Sequence, residues 1–119
     1  MEVAGPVEAA FQARLEIGDD AEDAAGRGVE LLMIVMSGET VVDWSLKFKR
    51  EFASIAPHVW VAGYCNDMYG YVPTRRIQQE GGYEGGRANL WSWVPAPWAD
   101  DVEERVTVGV RALVERTKK

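Results

Sequence analysis

The chain has 119 residues, a formal charge of −6 and 47% hydrophobic residues, enough for one domain with one core and too short for two. Its negative balance, with no cluster of Lys or Arg, argues against a nucleic-acid or anionic-membrane surface. No apolar run approaches the roughly 20 residues that span a bilayer, and MEVAGPVEAA lacks the basic start and apolar centre of a signal peptide.

Val7 to Ile17 alternates apolar and polar residues, the period of a half-buried strand. Gly18 to Gly28 is acidic and rich in Ala and Gly, and reads as a loop. Val29 to Met36 (VELLMIVM) is a nearly continuous apolar run, expected to be a central strand covered on both faces. After Gly38, the spacing of Val41, Trp44, Phe48 and Phe52 predicts a helix that Pro57 stops. His58 to Tyr64 (HVWVAGY) is a second apolar strand. These segments predict a strand–helix–strand unit with parallel strands and a right-handed crossover, with the first strand antiparallel to Val29–Met36.

The next stretch, GYCNDMYGYVPTRRIQQEGGYEGG, holds all four tyrosines, the single cysteine and half of the twelve glycines, and reads as a loop. RANLWSWVPAPWAD follows as an extended or irregular segment. Asp100 is expected to open the last helix, with Glu103 in a capping-box relation. Val102, Val106, Val110 and Leu113/Val114 form that helix's apolar stripe. The fold class is therefore α/β: a small mixed sheet with a strand–helix–strand crossover and a C-terminal helix, in a single domain over 1–119.

Sites in open α/β sheets form past the carboxyl ends of the strands. The first crossover strand runs out into Ser37-Gly38-Glu39-Thr40 and the second into Cys65, Asn66, Asp67 and then Tyr69 to Tyr71. Neighbouring strands would place Glu39 opposite this polar and phenolic segment. Each feature also has a structural reading: a first-turn acid for Glu39, an Asx turn at Asn66-Asp67, and packing roles for the tyrosines. Cys65 and His58 are each alone in the chain. No intrachain disulfide or cysteine metal cage can form, and both residues read as structural.

Three pieces in order carry a resemblance: the apolar strand entering Gly38-Glu39-Thr40, the run NDMYGYVPT from Asn66 to Thr74, and Tyr83-Glu84-Gly85. Together, over about half of the chain, they resemble the neutral/alkaline non-lysosomal ceramidases and their bacterial relatives, zinc amidohydrolases that split the amide of ceramide. The resemblance implies Glu39 and Tyr71 as zinc ligands and Tyr83 as a hydrogen-bond donor to the scissile carbonyl oxygen. Asn66 and Tyr69 would then lie toward a lipid-like amide substrate. The family's other two ligands are histidines upstream of these motifs, and His58 lies between the motifs instead. The chain is accordingly expected to be the C-terminal portion of such a catalytic domain, with no catalytic zinc of its own. Its partner would be the remaining N-terminal part or a second copy, and Trp91, Trp93, Trp98 and the edge at Val7–Ile17 would be exposed. The alternative from another class is a non-catalytic α/β binding or assembly domain using the aromatic loop and the tryptophan segment as its interface.

Overall fold

The computed structural model describes residues 11–16, 30–91 and 97–117. Three strands form a mixed sheet in the order β1-β2-β4: β1 is Phe11–Glu16, β2 is Glu30–Val35 and β4 is His58–Ala62. β1 runs antiparallel to β2, with Phe11 opposite Val35 and Glu16 opposite Glu30. β2 and β4 are parallel, with Leu31 opposite His58 and Val35 opposite Ala62. The expected strand–helix–strand unit and the antiparallel first strand are therefore present. Residues 7–10, 17–29 and 92–96, which include parts of the expected first two strands, the acidic loop and Trp93, lie outside the described residues.

The crossover is α1, Val42–Glu51. Trp44, Phe48 and Phe52 recur every four residues, so their rings line one side of the helix. Successive ring centroids lie 5.6 and 5.7 Å apart in stacked pairs, and Trp44 and Phe48 are fully buried. Burying each such ring contributes about 2–3 kcal/mol relative to leaving it in water, before the cost of ordering it. The helix ends where the Phe52 backbone N–H donates to the Phe48 carbonyl.

The last helix, α3, is Val102–Thr117. Its four-residue valine stripe, Val102, Val106, Val110 and Val114, joins Leu32, Ile34, Met36 and the α1 aromatics in one core. These residues lie on one side of the sheet. The alternating β2 residues Leu31, Met33 and Val35 are partly buried, less so than Leu32 and Ile34 on the core side.

Two elements lay beyond the reach of periodicity. β3, Glu39–Thr40, and β5, Tyr71–Val72, form a separate two-stranded parallel ladder. The segment read as a loop also contains α2, Arg75–Glu80, and leads into a 3-10 turn at Arg87–Trp91. The expected capping box at Asp100 is replaced by a different use of Glu103. Its carboxylate accepts 2.7 Å hydrogen bonds from Lys47 Nζ on α1 and from the Arg75 backbone N–H at the start of α2. Glu103 thus satisfies an orphan donor of another helix. Asp43 makes a second bridge, accepting from both Arg76 Nε and Nη2 at 2.9 and 2.8 Å and from Thr74 Oγ1 at 2.9 Å. Among the described residues, no helix is long and apolar enough to cross a membrane.

Candidate functional site

The corner beyond the carboxyl ends of β2 and β4 is built by backbone pairing that continues past the strands. Met36 N–H donates to Ala62 O at 2.8 Å, Cys65 N–H to Met36 O at 3.1 Å and Tyr64 N–H to Gly38 O at 2.7 Å. The next turn folds across this exit: Gly38 N–H donates to Asp67 O and Glu39 N–H to Gly70 O, both at 2.8 Å. Gly38 has φ +74°, and a Cβ there would lie 2.8 Å from Gly70 O and 3.0 Å from the Tyr69 ring. Only glycine meets both demands without strain.

This crossing brings Glu39 and Tyr71 together as direct register partners of the β3–β5 ladder. The Glu39 carboxylate acts on both the Tyr71 and the Tyr64 phenols at this strand exit. The hydrogen bond to Glu39, assisted by some desolvation and by the charges of Glu39 and Glu84, pushes the Tyr71 phenol up to about 12. Tyr64 is raised above the ordinary phenol value by the same bond, by desolvation and by the Glu39 charge. A carboxylate acceptor favours the protonated phenol because ionisation would set two anions side by side.

Tyr83 reaches the cluster from the far side of α2. After Glu80 the chain turns back, with Gly81 N–H donating to Ile77 O at 3.0 Å and Ala88 N–H to Tyr83 O at 2.9 Å. Gly85 permits the reversal: a Cβ there would sit 2.4 Å from Gly81 O and 2.5 Å from Ile77 O. The Tyr83 ring meets Tyr71 edge-on, with centroids 5.6 Å apart and planes at 77°. Tyr83 remains 50% exposed and Tyr64 60% exposed, so two of the three phenols facing this corner remain open to solvent.

Asn66 and Tyr69 are placed differently. Asn66 is exposed in the turn with φ +65°, a left-handed conformation that asparagine tolerates better than most residues. Tyr69 turns inward against the core and meets Trp98 edge-on at 5.7 Å. Burial, with a contribution from Asp67 and opposed by nearby Ser37, pushes its phenol up to about 12. Cys65 lies in the same turn, its thiol donating to the Gly63 and Ala62 carbonyls.

Tyr64 and the tryptophans are the contributors that sequence spacing did not single out. Tyr64 holds φ +59°, unusual for an aromatic residue and costing about 1–2 kcal/mol; this conformation accompanies the turn that brings its phenol to Glu39. β5 is held by two indoles. Trp44 Nε1 donates to Val72 O at 2.8 Å, and Trp98 Nε1 donates to Tyr71 O at 2.7 Å. Trp98 is therefore a partly buried positioning residue rather than the exposed one expected, whereas Trp91 is 85% exposed.

The donor chemistry of this corner does not complete a zinc site. A catalytic zinc takes three protein ligands with N or O donors and keeps one open position. Glu39, Tyr71 and Tyr64 offer a carboxylate and two protonated phenols. His58 starts β4, the end of that strand remote from the Gly63–Tyr64 exit. No group of three or more His, Cys, Asp or Glu among the described residues is arranged to hold a metal. What the corner does offer is a carboxylate paired across the ladder with the Tyr71 phenol, and a half-exposed phenol, Tyr83, against Tyr71. The chain matches no family model, no curated protein and no solved structure.

Proposed function

We propose that this chain supplies the carboxylate–phenol side of an amide-hydrolysing site of the zinc amidohydrolase type, similar to that of the neutral ceramidases, with the imidazole ligands contributed from outside these 119 residues. The observation that carries this reading is the convergence of Glu39, Tyr71 and Tyr83, distant in sequence, at one strand-exit corner. Glu39 and Tyr71 present adjacent oxygen atoms. The exposed Tyr83 hydroxyl is free to point outward and donate to an amide carbonyl oxygen as negative charge develops on it, an effect worth several kcal/mol when the donor is already in place. The exposure of Tyr64 and Tyr83 suits a substrate whose remaining contacts come from the complementary part.

The test uses protein purified from its native source, with whatever subunit accompanies it. Stoichiometric zinc and hydrolysis of an N-acyl sphingoid amide are expected. Tyr71→Phe and Glu39→Gln should lose zinc, while Tyr83→Phe should keep it and hydrolyse about 10²–10³ times more slowly. Zinc content unchanged in Tyr71→Phe would sink the assignment.

A second reading, a binding or assembly domain, is favoured by the neighbouring exposed side chains of Leu90 and Trp91, 79% and 85% accessible. Large contiguous apolar groups at a surface mark contact sites. If they carry self-association, Trp91→Ala should shift the light-scattering mass toward monomer, and Tyr83→Phe should leave it unchanged. A native chain that is monomeric at high micromolar concentration removes this reading.

A further inference from the structure

Three tyrosines gather at the strand exit that carries Glu39, and the geometry points to a second capacity of this corner: an aromatic cage for an alkylated ammonium cation, formed by Tyr64, Tyr71 and Tyr83 beside Glu39. The inference requires no metal and no second polypeptide, and it stands or falls separately from the hydrolytic reading.

Four observations carry it. The Tyr71 and Tyr83 rings stand at 77° with centroids 5.6 Å apart, so they form two walls of a corner instead of a closed stack. Tyr64 makes a third aromatic element, entering the corner from the end of β4 with its backbone N–H bonded at 2.7 Å to the carbonyl of Gly38, the residue before Glu39. Tyr64 and Tyr83 are 60% and 50% exposed, so ring surface is available to a ligand. The charged groups acting on Tyr71 are Glu39 and Glu84, both acidic, within a chain of formal charge −6.

The rings' quadrupoles and the carboxylates therefore favour the same sign of guest. A cation within about 6 Å of an aromatic centroid gains ~0.5–1 kcal/mol at an exposed site and ~2 kcal/mol where it is desolvated. An alkylated ammonium suits this corner better than a small metal ion or a primary amine. It carries its charge on a weakly hydrated apolar surface that aromatic faces can contact at little desolvation cost.

The probe is choline, titrated into the isotope-labelled full chain and followed by amide correlation spectra, with its neutral isostere 3,3-dimethylbutanol as control. Saturable shifts clustered at Glu39, Tyr64, Tyr71 and Tyr83 are expected with choline and not with the isostere. Tyr83→Leu, at an exposed position that does not threaten folding, should weaken choline about fivefold, the equivalent of one ring contact. Tyr83→Phe restores the aromatic wall without the hydroxyl and should bind within about twofold of the native chain. The same variant loses the carbonyl donor that hydrolysis requires, so the two readings separate on it. Equal responses to choline and the isostere, no saturation by about 50 mM, or unaltered affinity in Tyr83→Leu would each overturn the cage.

Discussion

Replacing Trp44 with Phe tests whether core packing and site geometry share one link. Trp44 is fully buried and its indole N–H donates to the Val72 carbonyl of β5 at 2.8 Å. Phenylalanine keeps most of the ring but has no donor. The buried Val72 carbonyl then loses its indole partner, a penalty of about 1–3 kcal/mol, and the smaller ring adds roughly 1 kcal/mol of lost packing. The sum, about 2–4 kcal/mol, is a large fraction of the 5–15 kcal/mol typical of a domain. With a urea slope near 1.5 kcal/mol/M, the unfolding midpoint should fall by between about 1 and 3 M at an unchanged slope. Trp98→Phe removes the parallel bond to the Tyr71 carbonyl at a partly buried position that water can reach, so its cost should be smaller. Both variants should speed amide exchange in β5. A Trp44→Phe loss below 1 kcal/mol, or a larger loss in Trp98→Phe, would refute the idea that the buried indole anchors this strand.

Gly38→Ala should cost about 2 kcal/mol or more, because it combines a left-handed backbone with a Cβ 2.8 Å from Gly70 O; a urea midpoint within error of the native value would contradict this. In an ultraviolet phenolate titration, Tyr71 should ionise near its raised value of about 12, and Glu39→Gln should move it back toward about 10; an unshifted titration in the variant would remove Glu39 as the cause. Asp43 is held below the ordinary carboxyl range by its Arg76 hydrogen bonds. Burial raises Glu103, but the bonds from Lys47 and the Arg75 backbone outweigh it and leave that carboxyl lowered too. A lowered folded-state value means stability that is present in full above the unfolded value and lost as pH falls through the folded one. Thermal stability should therefore drop on acidification below about pH 4, and less steeply in Asp43→Asn; an equal slope in that variant would show that the Asp43 carboxyl is not coupled to folding.

The fold was legible where one period ran long enough to identify an element. Four-residue spacing of Trp44, Phe48 and Phe52, and of Val102 through Val114, located both long helices. Apolar runs located β2 and β4. Which face of β2 meets the core was not legible, because a continuous apolar run does not distinguish Leu32 and Ile34 from the less buried Leu31, Met33 and Val35. β3 and β5 escaped because two residues contain no period; backbone bonds around Gly38 create them. α2 escaped for a related reason: Arg75–Glu80 has no buried residue, and its start is capped by Glu103, far away in sequence. At the candidate site, strand-exit topology put Glu39 opposite the tyrosine segment. It did not distinguish Tyr69, which packs inward, from Tyr64, whose φ of +59° accompanies its approach to Glu39.

Two features of this corner pull in opposite directions, and their division explains its construction. Its backbone is over-determined: five bonds of 2.7–3.1 Å cross between the segments at Met36–Glu39 and Ala62–Gly70, and two indoles hold β5. Such redundancy can sustain left-handed residues at Gly38, Tyr64 and Asn66, each of which would relax if its surroundings were loose. The side chains resting on that frame are by contrast exposed at Tyr64 and Tyr83 and add little to the core. The strain is held by the backbone while the Tyr64 and Tyr83 phenols are left open to solvent, an arrangement that supports the proposed role of this corner in meeting a ligand.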